Sequence, residues 1–193
     1  SATAIERMIR VDQAGEFGAT RIYAGQLAVL GDRGPHAAEI AGMAEEEARH
    51  RAEFDALMAR RGVRPTALTP FWSAAGYALG AATALIGPEA AMACTAPVEE
   101  EIDRHYSRQL DALEESGADP ELAAMISAFR DDEREHRDAA LAAGAEGAAI
   151  VQLPASLPAA WDCADPFPPD FTQSDLMGLI GAALEAASTG RLE

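Results

Sequence analysis

Two short stretches of the sequence, Glu47-Ala48-Arg49-His50 and Glu133-Arg134-Glu135-His136, each place a glutamate three residues before a histidine. Both lie in segments rich in Ala, Glu, Arg and Leu, which are strong helix formers. Side chains at positions i and i+3 share one face of a helix, so each stretch would present a carboxylate and an imidazole together. A single motif of this kind also arises by chance on a charged, solvated helix face, so one copy is weak support for a metal site.

The spacing of two further glutamates strengthens the prediction of a metal site. Glu16 precedes Glu47 by 31 positions and Glu99 precedes Glu133 by 34, and the midpoint of each pair falls at a glycine-containing helix breaker. In an antiparallel helical hairpin, residues equidistant from the turn lie at the same height, roughly 22 Å from it for about 15 residues. Two hairpins would therefore bring a dinuclear ligand set to one level, as in ferritin-like bundles. The predicted ligands are Glu16, Glu47, His50, Glu99, Glu133 and His136.

Glycine and proline divide the chain into long helical segments, and strand signals are nearly absent. Helices are predicted over 5–30, 36–61, 70–87, 88–116 and 121–143. We predict an all-α, ferritin-like four-helix bundle with additional apolar and C-terminal helices, the di-iron bundle occupying 1–143. A loop segment rich in Gly, Ala and Pro follows over 144–172, because such a composition does not sustain a helix. A short helix over 174–184, capped by Ser174, and a tail complete the C-terminal part, 173–193.

The charge of the chain limits its chemistry. It has 15 Lys+Arg and 32 Asp+Glu, a formal net charge of −17, and no lysine. The absence of lysine excludes a P-loop lysine, a Schiff base and a lysine general base. A strongly acidic chain is repelled by phosphates, so we predict no nucleic-acid partner. The four ligand glutamates would balance two divalent cations, and carboxylate with imidazole suits iron or manganese better than zinc.

The cysteines and the amino-terminal residues bear on the compartment. Cys94 and Cys163 are far apart and form no CxxC motif, so both are predicted to be reduced thiols of a cytosolic protein. Charges interrupt each apolar run in the first twelve residues, a pattern that matches neither a secretory signal nor a transit peptide.

Residues 70–87 carry no charge and reach the length at which a membrane span is considered. They are rich in alanine and contain glycine, so a helix within the bundle or at a membrane surface is favoured over a span. In one interpretation the large apolar side chains of this run (Phe71, Trp72, Tyr77, Leu79 and Leu85) are mostly buried in the core. In the other, part of the run forms an apolar entrance for a lipid tail.

Several blocks of the sequence form a specific pattern along the chain. The most specific is 7–19, RMIRVDQAGEFGA, followed by RIYAGQ at 21–26. Further blocks agree in order: VRPT at 63–66, ALGA at 78–81, AMACT at 91–95, VEE at 98–100, HY at 105–106 and FRD at 129–131 leading into Glu133. Taken in this order, the blocks resemble the demethoxyubiquinone monooxygenases of ubiquinone biosynthesis, and the resemblance covers roughly 5 to 143.

The resemblance implies a ferritin-like di-iron enzyme that hydroxylates the quinone ring of a long-tailed demethoxyubiquinone with O2 and reducing equivalents from NADH. By position it assigns two iron ions to the same six ligands that the spacing predicts. His105 and Tyr106 match positions near the quinone head group and the iron ligands, and are therefore candidate catalytic residues. The family is peripheral to membranes, which implies a cytoplasmic protein attached to the inner (cell) membrane through apolar contact. A homo-oligomer and an accessory lipid-binding protein are both compatible with it.

Asp132 and Glu46, each directly before a predicted ligand, are candidates for hydrogen bonds that orient His50 and His136; alternatively they are exposed acids. The chain departs from the family at Gln13, where a histidine is usual, and at Pro97, where alanine is more frequent. An interior proline costs about 3 kcal/mol and is expected to bend the helix near Glu99. Residues 144–193 match the family poorly.

Two other functions are compatible with helices and acids. A ferritin-like iron oxidase, storage or metal-binding protein would use the same ligands, but it needs no long apolar entrance. A purely structural acidic bundle gives no reason for Glu16 and Glu99 to match the two Glu-x-x-His motifs in height.

Overall fold

The computed structural model describes residues 2–145 apart from 33 and 68, and this part of the chain contains five α-helices and no strand. The helices are α1 (Ala2–Leu30), α2 (Ala37–Arg61), α3 (Thr69–Ile86), α4 (Pro88–Ser116) and α5 (Pro120–Ala140). The all-α prediction is thereby confirmed. The predicted helix over 174–184, Cys163 and nearly all of the 144–172 segment lie outside the described residues.

The helix boundaries follow the glycines and prolines, with one correction at the end of α5. That helix was predicted to reach 143, but it ends at Ala140 and widens into a π-helical turn, Leu141–Ala145. The predicted loop therefore does not begin at 144, because the helix-forming Leu141 and the alanines after it continue the coil with a wider hydrogen-bond pattern. Gly62 and Gly117 end α2 and α4 in the left-handed region, with φ of 68° and 58°, where glycine has no steric penalty.

The hydrophobic core forms two clusters, and on each of α1, α2, α4 and α5 the predicted ligands lie between them. The first cluster has large side chains, including Ile9, Phe54, Leu110 and Phe129. The second is rich in alanine and is built around Tyr23, Ile40, Met43, Met92 and neighbouring alanines. A polar layer is thus enclosed between two apolar layers of one bundle.

The apolar helix α3 packs closely on α1 through small residues. A methyl group at Gly80 would overlap the carbonyl oxygen of Ile22, and one at Gly25 would overlap that of Tyr77, so both positions require glycine. The buried face of α3 consists of Gly80, Thr83 and Ala84.

None of the described large side chains of α3 is fully buried. Trp72 and Leu79 are half-buried, Tyr77 is 38% exposed and Leu85 75% exposed. The core-helix interpretation is therefore wrong for Tyr77 and Leu85 and holds only in part for Trp72 and Leu79, whereas the side chain of Phe71 lies outside the described residues. The close contact between α1 and α3 is made through small residues such as Gly25 and Gly80. Among the described residues, no helix is both long enough and apolar enough to cross a membrane.

Pro97 lies inside α4 without ending it. The helix is continuous from Pro88 to Ser116, and Pro97 is half-buried. A proline at this position cannot donate a backbone hydrogen bond to Ala93, so α4 loses one bond two residues before Glu99. Cys94, one turn earlier, is a buried free thiol, and burial raises its pKa to about 11.

Candidate metal centre

The structure brings the six predicted ligands together in the interior of the bundle. Their relative exposures range from 0% for Glu47, His50 and Glu133 to 4% for His136. α1 and α4 each supply one glutamate, and α2 and α5 each supply one glutamate and one histidine. The i, i+3 spacing on α2 and α5 orients each histidine to the same side as its glutamate.

The ligand atoms form two overlapping groups, each compact enough to hold one cation. Within each group, one ligand atom from every residue lies within 4.8 Å of the others. Glu47 and Glu133 belong to both groups, and are therefore placed to bridge two cations. The first group is Glu16, Glu47, His50 and Glu133, and the second is Glu47, Glu99, Glu133 and His136.

Two carboxylates fix which nitrogen of each histidine faces the centre. Nε2 of His50 lies 2.9 Å from Oδ2 of Asp132, and Nε2 of His136 lies 2.6 Å from Oε2 of Glu46. The hydrogen bonds expected of Asp132 and Glu46 are thus present, and both acids are only partly exposed. An Nε2 proton donated outward leaves the Nδ1 lone pair free to bind a cation. The inward Nδ1 of His50 lies 3.3 Å from Glu133, and that of His136 lies 3.2 Å from Glu47.

The buried polar atoms of the cluster fit a pair of cations. Among the described residues, eight inward atoms have no hydrogen-bond partner: one oxygen each of Glu16 and Glu99, both oxygens of Glu47 and Glu133, and Nδ1 of His50 and His136. Unpartnered buried polar atoms are rare, because each one loses its hydration without compensation. Burial, and then repulsion between neighbouring carboxylates, raises the pKa of Glu47 and of Glu133 far above the usual range. Two divalent cations would satisfy these atoms and cancel that repulsion.

Two buried tyrosines hold the outer glutamates across the bundle. The hydroxyl of Tyr106 donates to Glu16, and that of Tyr23 donates to Glu99. Burial and the neighbouring carboxylate raise the pKa of both phenols well above 10.0, so each remains a donor. Tyr106 is a predicted site residue, whereas Tyr23 was missed. A signal for Tyr23 was present in the sequence, because it follows Glu16 by seven residues, just as Tyr106 follows Glu99 by seven.

His105 lies outside the two ligand groups, at the edge of the cluster. Its Nε2 is 3.0 Å from Oδ1 of Asp12 and 2.8 Å from Nε2 of Gln109. Neither Asp12 nor Gln109 was predicted. Gln13, the departure from the family pattern, is buried and donates from Nε2 to Asp55 at 2.8 Å.

An enclosed pair of carboxylate- and imidazole-bound cations can carry out redox and dioxygen chemistry that the side chains alone cannot. Hard carboxylate oxygens with two imidazoles are suited to iron or manganese. Because the six residues are excluded from solvent, the protein also separates reactive species from water.

Comparison with known proteins identifies the family to which this chain belongs. The family described as ubiquinone biosynthesis protein COQ7 matches residues 3–158. A 3-demethoxyubiquinol 3-hydroxylase of Rhodospirillum rubrum is 52% identical over 147 residues, 76% of this chain and 68% of the relative. The human NADPH-dependent 3-demethoxyubiquinone 3-hydroxylase, mitochondrial, is 50% identical over 148 residues, with the same two coverages of 76% and 68%. The 5-demethoxyubiquinone hydroxylase, mitochondrial, of Saccharomyces cerevisiae is 46% identical over 154 residues, 72% of this chain and 66% of the relative. With the family match extending across most of its length, the chain belongs to the COQ7 family of ubiquinone biosynthesis proteins.

Proposed function

We propose that this protein hydroxylates the quinone ring of demethoxyubiquinone in ubiquinone biosynthesis, using O2 at a di-iron centre. The observation that carries the proposal is the pair of buried ligand groups that share Glu47 and Glu133. Relatives about half identical in sequence are named for this reaction. Iron supplies the electron-transfer and dioxygen chemistry, and the protein holds the geometry.

The residues have distinct roles in this proposal. Glu16 and His50 would hold one ion, Glu99 and His136 would hold the other, and Glu47 and Glu133 would serve both. The outward carboxylates Asp132 and Glu46 fix the histidine tautomers, and the tyrosine hydroxyls orient the outer glutamates. Tyr106 and His105 lie on the Glu16 side, and we assign to that side the approach of the quinone head group.

The electron donor is a reduced nicotinamide nucleotide. The resemblance implies NADH, while the human relative is named as NADPH-dependent. The functional assay therefore includes each nucleotide in a separate arm.

The test incubates ferrous protein with a short-tailed demethoxyubiquinone, O2 and either NADH or NADPH, and measures the quinone by mass spectrometry. We expect a product with one added oxygen atom. Glu133→Ala is expected to abolish it, whereas Glu135→Ala is the matched control, since Glu135 is an exposed acid of the same motif. Rapid O2 consumption without a hydroxylated quinone would instead support the oxidase or storage alternative.

Apolar contact with a membrane is the proposed route for the substrate's tail. Leu85, Ile86 and Tyr77 of α3 are 75%, 42% and 38% exposed. A net charge of −17 disfavours anionic lipid, so attachment would depend on these side chains. Flotation with neutral liposomes is expected to recover the wild type and less of Leu85→Ser. Equal recovery of both would exclude Leu85 from the contact.

A further inference from the structure

Three side chains form a compact polar group at one edge of the metal centre. Oδ1 of Asp12 lies 3.0 Å from Nε2 of His105 and accepts from Nε2 of Gln109 at 2.7 Å. The two nitrogens are 2.8 Å apart. Gln109 is fully buried, the side chain of Asp12 is 0% exposed, and that of His105 is 12% exposed.

The 3.0 Å separation fits a proton between Asp12 and His105. Gln109 donates one N–H to Oδ1 of Asp12. Nε2 of His105 has one position for a proton or a lone pair, and the contact with Asp12 occupies it, so that nitrogen accepts no second bond from Gln109. A carboxylate oxygen and an unprotonated imidazole nitrogen are both acceptors, so without a proton between them a separation of 3.0 Å is repulsive. Burial raises the pKa of Asp12, while the bond to His105 acts in the opposite direction.

The other hairpin lacks this group at the corresponding positions. Thr95 precedes Glu99 by four residues, as Asp12 precedes Glu16, and Ile22 stands where α4 has His105. The corresponding amide, Gln26, donates to the carbonyl oxygen of Ala91 at 3.1 Å and lies 3.4 Å from the Thr95 hydroxyl. The ionisable pair is therefore present on one side of an otherwise repeated arrangement.

Charged groups around the pair come from α1, α4 and α5. Glu16 lies behind Asp12 on α1, and on α4 itself Glu101 and Arg108 flank His105 and approach each other at 3.6 Å. From α5, Arg134 and Arg137 contact Asp103. Tyr77 is the one ionisable side chain among the described residues of α3, and the Arg21 guanidinium lies over its ring.

The proposed reaction must draw protons into a buried site. Placing one oxygen atom of O2 in a ring C–H bond and reducing the other to water consumes two electrons and two protons. A reduced nicotinamide supplies both electrons and one proton, so the remaining proton comes from solvent. The outward carboxylates Asp132 and Glu46 are committed to fixing the histidine ligands, whereas His105 is 12% exposed to solvent and contacts Asp12.

We propose that Asp12 and His105 share one proton and pass protons from solvent to the Glu16 side of the centre, with Gln109 as a positioning residue. This inference rests on the proposed hydroxylase function. It adds to the ligand set a one-sided proton relay that the opposite side lacks.

A spectroscopic test does not depend on turnover. Protein labelled with 15N-histidine and loaded with diamagnetic Zn(II) is expected to show a strongly deshielded proton between Asp12 and His105. The resonance should be absent from Asp12→Asn and His105→Gln and retained in Thr95→Val, the matched change on the other side. A wild-type spectrum without this resonance, or its retention in Asp12→Asn, would overturn the shared proton.

A kinetic test asks whether the pair serves the reaction. His105→Gln is expected to lower kcat roughly 100-fold and Asp12→Asn at least about tenfold, both with unchanged iron content and Asp12→Asn with unchanged KM for the quinone. Thr95→Val should match the wild type. Unchanged kcat in Asp12→Asn, or loss of iron from it, would refute the relay, the latter by showing a structural role. A wild type that binds iron but makes no hydroxylated quinone would refute the proposed function instead, and the Zn(II) spectrum would still decide the shared proton.

Discussion

The α1–α2 and α4–α5 hairpins carry the same ligand pattern, yet each one holds the other's ligands in place. Tyr23 of α1 binds Glu99 of α4, and Tyr106 of α4 binds Glu16 of α1. In the same way, His50 of α2 is bonded to Asp132 of α5, and His136 of α5 to Glu46 of α2. Neither hairpin alone contains a finished half of the centre, so the ligand geometry depends on docking of the two.

The two halves of the centre have matching ligands but different surrounding residues. Phe129 stacks on His50 with ring centroids 4.0 Å apart, whereas the matching position in α2 is Met43, whose sulfur lies 3.4 Å from the Tyr23 hydroxyl. The Asp12 group adds charge on the Glu16 side only. The repeat therefore provides ligands that could hold two cations, and the surroundings distinguish one side from the other.

The largest expected effect separates the shared ligands from the outer ones. Glu47→Ala or Glu133→Ala should lower anaerobically bound Fe(II) from about two ions per chain to near zero, because each residue serves both positions. Glu16→Ala should retain about one ion. Metal analysis after desalting checks this, with Glu135→Ala as the control. Retention of two ions by Glu133→Ala would contradict the shared role.

A smaller effect compares the two outward carboxylates. Asp132→Asn and Glu46→Gln should each weaken Fe(II) affinity by about 10–100-fold, because a neutral amide orients and polarises the ligand histidine less well. Asp132 should be the more sensitive, since it is less exposed than Glu46, 33% against 46%, and also accepts from Arg49 at 2.7 Å.

Competition with a chelator of known affinity measures this difference. The neighbouring exposed acids provide matched controls, Asp131→Asn on α5 and Glu45→Gln on α2. Fe(II) affinities equal to the wild type in Asp132→Asn and Glu46→Gln would show that the outward hydrogen bonds do not fix the ligands.

The smallest effect lies at the hairpin turns. Asp119 caps α5 by accepting from the Leu122 N–H at 3.1 Å and also binds Arg61, whereas His36 makes no side-chain cap for α2. Asp119→Ala should lower the free energy of unfolding by about 1–2 kcal/mol. His36→Ala should change it by less than about 0.5 kcal/mol.

The effect of Asp119 should depend on pH. The bond from Arg61, followed by that from the Leu122 N–H, lowers the Asp119 pKa below 3.8 despite partial burial. Since the folded state holds fewer protons at this group, its contribution is complete above 3.8 and is lost as pH falls through the lowered value. Urea unfolding should be measured at about pH 7 and at steps below pH 3.8. The difference in free energy of unfolding between wild type and Asp119→Ala should become smaller as the pH falls. A gap that stays constant would mean that the carboxylate charge does not contribute.

The sequence was sufficient for features that depend on local spacing. Glycines and prolines placed the helix ends to within a few residues, and the Glu-x-x-His motifs with the heights of Glu16 and Glu99 identified the six residues that the structure gathers. Residues 141–145 were harder to predict, because a π-helical turn has the same composition as the helix before it. The burial of α3 was also misjudged, since close contact through Gly25 and Gly80 turns its large side chains away from the core.

The sequence by itself determined two helical hairpins, their lengths and the face on which each carries its ligands, because hydrophobic period, helix breakers and i, i+3 spacing act within one segment. Only the tertiary structure decided that Glu47 and Glu133 are shared, that Nδ1 of each histidine faces inward, and that Tyr23 reaches Glu99. It also brought Asp12 of α1 to His105 and Gln109 of α4. Those contacts depend on the rotation and height at which two packed helices meet, which side-chain packing between them sets and no single helix specifies.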